Sequence, residues 1–274
     1  MARILITGSN SGFGMLTALS LAKDGHDVVA TMRDTNKGDD LRTQSEGLSG
    51  SVEIRQLDVG DAASIAAATA DADTIDVLVN NAGFEVQASV AMLDDDLLTR
   101  QFDTNVLGPV RLIRSVLPAW IERGSGTIVN VSSVAGVVGT PYTGAYAASK
   151  HALEALSEAL HFETSQQGIR VRMIEPGRFN TGFGAKMIRP ASWAGSDDEA
   201  RCERFRASLF ALDGDDPDPD PQEVADAIVH AALDADAPFR QFVGTDSQLI
   251  SGAKASMSFE DFEATMRDTI NWHE

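Results

Sequence analysis

Short continuous apolar runs alternate with longer stretches of helical spacing along the whole chain. Arg3 to Thr7, Asp27 to Met32, Val52 to Leu57, Ile75 to Val79, Thr127 to Val131, Arg170 to Ile174 and Phe239 to Val243 read as strands. Runs without alternation suit strands buried on both faces, as in a parallel sheet with helices on either side. Between them, apolar residues recur at three and four positions. Leu16, Leu19 and Leu21 form one such face, and Ala145, Ala148, Ala152, Leu153, Leu156 and Leu160 another. Strands alternating with helices predict an α/β fold with a parallel, doubly wound sheet.

Three stretches depart from simple periodicity. Asp94 to Arg123 reads as one long helix holding Pro109 and Pro118. Pro109 has no N–H, so the carbonyl of Asn105 loses its helical partner and a kink is expected there. From residue 182 to 216 the pattern weakens, although Phe183, Met187, Ile188, Trp193, Phe205, Leu209 and Phe210 are large and apolar. A long segment of this kind suggests a lid over a binding site. The acidic, proline-rich run from residue 213 to 221 lacks the ligand spacing of a calcium loop. Its end has helix-start chemistry: Asp220 as N-cap, Pro221 at the first helical position and Glu223 two further on, opening a helix to Leu233. Residues 244–274 form a C-terminal extension with an amphipathic helix from Phe259 to Trp272.

Composition narrows the function. Of 274 residues, 43% are hydrophobic and 23% charged, ordinary values for a soluble globular protein, and no run is long enough to span a membrane. The formal charge of −19 disfavours nucleic acid or an anionic membrane as partner. The lone Cys202 excludes an intramolecular disulfide and suits a cytoplasmic location. The five histidines show no metal-ligand spacing.

Chemistry-bearing residues cluster where the strands end. After the first strand comes Gly8-Ser9-Asn10-Ser11-Gly12-Phe13-Gly14, then a helix. Glycines let backbone approach a pyrophosphate, and a helix N-terminus offers N–H groups and a positive dipole end. The second strand ends at Met32-Arg33, where an arginine suits the 2′-phosphate of NADP and a carboxylate would suit the ribose of NAD. Asp34 follows one position late. Asn80-Asn81-Ala82-Gly83 and Ser132-Ser133 close the fourth and fifth strands. Tyr146 and Lys150 lie one helical turn apart on the same face. A nearby cation stabilises phenolate, so this pair is expected to lower the tyrosine pKa and prepare it for proton transfer.

Taken in order, Thr7-Gly8-x-x-x-Gly12-x-Gly14, Asp58, Asn80-Asn81-Ala82-Gly83, Asn105, Ser133, Tyr146-x-x-x-Lys150 and Pro176-Gly177 with Thr181 resemble the short-chain dehydrogenase/reductase family over nearly the full length. The stretch Ala30 to Asp34 and the C-terminal extension are similar to the subgroup of 17β-hydroxysteroid and retinol dehydrogenases. The resemblance implies a single-domain, Rossmann-type α/β fold of about seven parallel strands, and an oxidoreductase that prefers NADP(H) to NAD(H) and interconverts a secondary or primary alcohol and its ketone or aldehyde. It implies Tyr146 as general acid/base, Ser133 as substrate polariser, Lys150 on the cofactor ribose, and Asn105 holding a water in a proton relay. It further implies cofactor contacts from residues 8 to 14, Arg33, Asp58, Val59, Asn81, Ala82, Gly83, Pro176, Gly177, Phe179 and Thr181. Ser133, Val134, Tyr142, Tyr146, Phe183 and Met187 are the expected walls of an apolar substrate pocket. A homodimer or tetramer through the helices bearing Asn105 and Tyr146 is also implied. Two rival readings are a sugar-nucleotide epimerase or dehydratase, whose glycine spacing differs, and a non-catalytic NADP(H)-binding regulator, which tends to lose the tyrosine or lysine.

Overall fold

The computed structural model describes residues 1–213 and 218–273. Its strands are β1 (Arg3–Thr7), β2 (Asp27–Met32), β3 (Ser51–Gln56), β4 (Val77–Asn80), β5 (Gly126–Val131), β6 (Ile169–Pro176) and β7 (Arg240–Val243). They form one parallel sheet in the order β3-β2-β1-β4-β5-β6-β7. The order reverses between β1 and β4, and the crevice outside the carboxyl ends of these two strands is where such sheets bind ligands.

The helices are α1 (Gly12–Lys23), α2 (Asp39–Ser45), α3 (Ala62–Ala68), α4 (Asp95–Phe102), α5 (Gly108–Arg123), α6 (Gly144–Thr164), α7 (Asp197–Phe210), α8 (Gln222–Leu233), α9 (Thr245–Ser256) and α10 (Phe259–Thr269). Successive strand residues point to opposite faces, which explains the unbroken apolar runs. Ile4, Ile6, Val28 and Ala30 enter a core completed by α1 and α8, with Leu21, Val224 and Ile228. Leu5, Val29, Leu78 and Ile128 enter the opposite core with Leu112, Val116 and Trp120 of α5. None of the described helices is long and apolar enough to cross a membrane.

The long helix read from Asp94 to Arg123 is three pieces. A π-helical turn at Asp103–Leu107 joins α4 to α5, and Pro109 falls in the first turn of α5. The wider turn accommodates a residue that cannot donate to Asn105. Pro118 lies inside α5.

The weakly periodic lid stretch contains a regular helix, α7. Only Cys202 and Phe205 of α7 are buried, so too few apolar positions recur to reveal it by spacing. Its signature is instead a start signal: Ser196 Oγ accepts from the Glu199 N–H at 3.1 Å. At α8 the helix begins at Gln222 rather than Pro221, yet Asp220 still accepts the Gln222 N–H at 2.9 Å. Residues 214–217 of the acidic run lie outside the described residues.

Candidate active site

A cavity of about 1370 Å³ opens at the carboxyl edge of the sheet. It runs from the glycine-rich turn past Arg33 and Asp58 to Tyr146, and on to Met187 and Phe205.

The glycine-rich turn is shaped by backbone that side chains disfavour. Gly8 and Gly12 have φ of 70° and 57°, and a Cβ on Gly8 would stand 3.0 Å from Ala82 Cα. Thr7 Oγ1 accepts the N–H groups of Asn81 and Ala82, both at 2.9 Å, and Asn81 Nδ2 donates to the Thr7 carbonyl at 2.8 Å. The Asn81 side chain therefore locks the turn after β4 against the one after β1. Asn10, Ser11, Gly12 and Phe13 border the cavity. Ser9 and Gly14, expected at the cofactor, sit behind its wall. Ser9 is fully buried with its hydroxyl donating to the Ile6 carbonyl, and a Cβ on Gly14 would stand 2.6 Å from the Gly8 carbonyl oxygen. This open turn at a helix N-terminus fits a dinucleotide pyrophosphate: its backbone is accessible and a side chain at Gly8 would crowd the opposite turn.

At the end of β2, Arg33 is exposed and borders the cavity. Asp34, the residue that would favour NAD, turns back into its own loop, where Oδ1 accepts the Asn36 N–H at 3.1 Å. Lys37 adds a second cation on this rim, and Asp58, Val59, Ala82 and Gly83 form the neighbouring wall. On the far side lie Pro176, Gly177, Phe179 and Thr181. That turn is braced from the C-terminal extension, because Asp246 Oδ2 accepts the Arg178 N–H at 2.7 Å.

Tyr146, Lys150 and Ser133 meet at the centre of the cavity wall. Lys150 is buried at 5% exposure, whereas Tyr146 is half-buried. Lys150 Nζ lies 5.6 Å from the Tyr146 ring centroid and donates to the Val131 carbonyl at 2.8 Å. Burial lowers the Lys150 pKa to about 8, against an opposing pull from Glu154 one turn on. The expected lowering of the tyrosine is not what the site produces. Burial first, and then the negative charge of Glu85, push the phenol pKa up, while a hydrogen bond with Ser133 pulls it part of the way back. Desolvating a phenolate outweighs the hydrogen bond that favours it.

Asn105 is 1% exposed and lies behind the cavity wall. Its Oδ1 accepts the Phe84 N–H at 3.2 Å, while Nδ2 donates to the Phe84 carbonyl at 3.0 Å and to Ser149 Oγ at 3.2 Å. It thus ties the loop after β4 to α6, next to the tyrosine.

The substrate end differs from the expected apolar pocket in two respects. Phe183 and Met187 do line it, and Phe183 stacks 6.0 Å from Tyr146. Val134 and Tyr142 do not. Tyr142, in a left-handed conformation at φ 65°, packs instead on Trp193 and Phe205 at 6.2 and 6.1 Å. Polar groups that the sequence reading missed also face the cavity: Glu85, Gln87, Lys186 and Arg206. Glu85 carried a legible signal, a carboxylate inside an otherwise apolar and amide run after Gly83. Lys186 did not, since it reaches Ser11 Oγ at 2.9 Å across 175 positions of chain.

The family model for short chain dehydrogenase matches residues 2–191. Retinol dehydrogenase 8 of Homo sapiens is 36% identical over 253 residues, covering 87% of this chain and 80% of that protein. The 3-ketodihydrosphingosine reductase of Bacteroides thetaiotaomicron is 34% identical over 252 residues, covering 90% and 89%. Among solved structures, a gluconate 5-dehydrogenase from Burkholderia cenocepacia in complex with NADP and tartrate superposes with a TM-score of 0.72 at 26% identity, covering 90% of this chain and 95% of that one. The sheet order, the glycine-rich turn and the Tyr146–Lys150 pair thus accompany sequence similarity along most of the chain, which belongs to the short-chain dehydrogenase/reductase family of oxidoreductases.

Proposed function

We propose that the protein uses NADP(H) to interconvert a primary or secondary alcohol and its aldehyde or ketone, with Tyr146 as the proton-transfer group. The observation that carries this reading is the placement of the Tyr146 hydroxyl in one continuous cavity with the glycine-rich turn and Arg33. When bound, the nicotinamide supplies or accepts the hydride at the carbon that bears oxygen. The protein's own groups then have to hold that oxygen and move one proton.

In the reductive direction Tyr146 donates its phenolic proton to the carbonyl oxygen, and Ser133 Oγ–H donates a second hydrogen bond to the same oxygen. Burial keeps the phenol in the protonated form that this donation requires. Lys150 then stabilises the phenolate left behind, with its position fixed by the Val131 carbonyl. In the oxidative direction the same groups act in reverse. Gly8, Asn10 to Phe13 and Thr181 would hold the pyrophosphate, and Asp58 and Val59 would border the adenine end. Arg33 would hold the 2′-phosphate, an anion that a guanidinium can grip with paired hydrogen bonds where an ammonium cannot. The turned-away Asp34 and the NADP held by the gluconate 5-dehydrogenase relative support this choice.

The segment from residue 182 to 212 acts as the lid, placing Phe183 and Met187 over the tyrosine. Exposed apolar residues on α5 and α6, Ile121, Leu156 and Phe162, support assembly of two or four copies through those helices. The buried free thiol of Cys202 accords with a cytoplasmic location. The deciding experiment is a panel of alcohols, ketones and aldehydes with NADP(H) and NAD(H), followed by nicotinamide absorbance. Turnover that disappears in Tyr146→Phe supports the reading, and a panel with no Tyr146-dependent turnover refutes it.

A further inference from the structure

Glu85 is the least expected group in the cavity. Its side chain is almost out of solvent at 7% exposure, yet it shares the cavity wall with Tyr146. The two are close enough that the carboxylate acts on the phenol's titration. Among the described residues its carboxyl oxygens make no hydrogen bond, yet they are not sealed from solvent and open onto the cavity; the charge that eases its ionisation is Arg206. Arg206 is itself engaged elsewhere, over the Phe210 ring at 5.0 Å and with Nη1 3.6 Å from Met187 Sδ. Burial raises the Glu85 pKa to about 7.

The main chain on either side of Glu85 is anchored. The Glu85 carbonyl accepts from the Ile188 N–H at 2.9 Å, and the next N–H, of Val86, donates to Gln101 Oε1 at 2.7 Å. A buried carboxyl without a partner is costly and uncommon. A carboxyl placed on the wall of a binding cavity that Phe183 and Met187 also line has the form of a group that fixes a ligand's orientation.

We infer that Glu85 selects a substrate carrying a second hydrogen-bond donor, a protonated amine or a hydroxyl, beside the carbon that reacts at Tyr146. The donor enters the carboxyl's unfilled hydrogen-bonding position while the reacting oxygen faces Tyr146 and Ser133. A plain ketone of the same length leaves Glu85 desolvated and unpaired, and is therefore rejected. Sites built around a buried polar partner discriminate strongly against analogues that lack it. Phe183 and Met187 accept the rest of the molecule, so the donor group and not overall polarity is what distinguishes substrates.

This inference rests on the oxidoreductase reading for the identity of the reacting group, and its test separates the two. A methyl ketone, its α-hydroxy ketone and its α-amino ketone, matched in chain length, are compared with wild type, Glu85→Gln and Glu85→Leu. The wild type is expected to favour at least one donor-bearing ketone by about tenfold or more in kcat/KM. Glu85→Leu should bring that ratio near one, and a circular dichroism spectrum and melting curve like those of the wild type show that the variant is folded. Glu85→Gln separates the donors: it should lose the preference for the amine and keep part of any preference for the hydroxyl. Calorimetry with the corresponding amino and hydroxy alcohols gives a readout independent of turnover. Binding that weakens about tenfold in Glu85→Leu, in a protein that reduces none of the ketones, would uphold the donor site and reject the oxidoreductase reading. Equal kcat/KM for the three ketones, or a ratio unchanged in Glu85→Leu, overturns the inference and leaves the oxidoreductase reading intact.

Discussion

Lys150 Nζ donates to the main-chain carbonyl of Val131 at 2.8 Å, so the ammonium beside Tyr146 is anchored to the end of β5 rather than carried on a free side chain. The same burial that fixes it lowers its pKa to about 8. Loss of its charge with rising pH removes the cation that stabilises the phenolate of Tyr146. The free-enzyme rate, kcat/KM, is therefore expected to fall as pH rises through about 8. Lys150→Ala should weaken cofactor binding and slow turnover together. Lys150→Arg, which stays charged, should retain whatever activity its bulk permits further into alkali. A pH–rate profile for wild type and Lys150→Arg checks this, and an identical alkaline limb in both would remove lysine from that role.

Tyr146→Phe keeps the ring that stacks 6.0 Å from Phe183 and deletes only the hydroxyl. Cofactor affinity should stay within about twofold, while kcat falls by about 10²–10⁴, the usual contribution of a positioned acid or base. Stopped-flow binding of NADPH together with steady-state turnover measures both. Near-normal turnover would transfer the proton to another group, and Glu85 is then the first to test.

The 2′-phosphate choice depends on a local cation overriding the acidic net charge of −19. Arg33→Ala should reduce the preference for NADP(H) over NAD(H) by about 10- to 150-fold, from charge-assisted bonds of about 1.5–3 kcal/mol. NAD(H) turnover should remain nearly intact. Lys186→Ala gives the contrasting pattern: its ammonium touches Ser11 on the pyrophosphate turn, so both cofactors should weaken together. Comparing kcat/KM for both cofactors across the two variants distinguishes phosphate selection from general anchoring. A wild type that uses NAD(H) equally well would reverse the assignment.

The sheet was legible because each central strand is buried on both faces and so appears as a pure apolar run. The turns after β1, β4 and β5 were legible because glycine, asparagine and serine mark where strands end. What escaped was long-range or sparsely patterned. Helix α7 has two buried residues in fourteen, too few to show a period. Asp246 braces the turn after β6 from the C-terminal extension, a contact across 68 positions that local spacing does not encode. The direction of the tyrosine shift was missed for a related reason. Helical spacing gives the neighbour, Lys150, but says nothing of how dry both groups become or of Glu85 arriving from another element.

A cluster behind the active site gives the last prediction. Arg240 of β7 donates to Glu175 Oε1 at 2.6 Å, Glu154 Oε2 at 2.8 Å and Glu158 Oε1 at 3.0 Å. Glu175 is fully buried, and its pKa is raised by burial and by the adjacent Glu154 carboxyl, against the pull of Arg240. Arg240→Met leaves two buried carboxyls without a cation, a change expected to cost about 3–5 kcal/mol near neutral pH. The sign of the pH effect follows from the direction of the Glu175 shift. A carboxyl whose folded-state pKa lies above its unfolded value of about 4.3 takes up a proton on folding. Its contribution to stability is complete below about 4.3 and is lost as pH rises through the higher folded value. Glu175→Gln holds the position neutral at every pH and removes this dependence. The Tm of Glu175→Gln minus that of wild type should therefore become more positive between about pH 6 and about pH 9. Melting curves at these two pH values test it directly. A difference that stays constant, or shrinks, would mean that Glu175 is ionised in the folded protein and that Arg240 outweighs both burial and the neighbouring carboxyl.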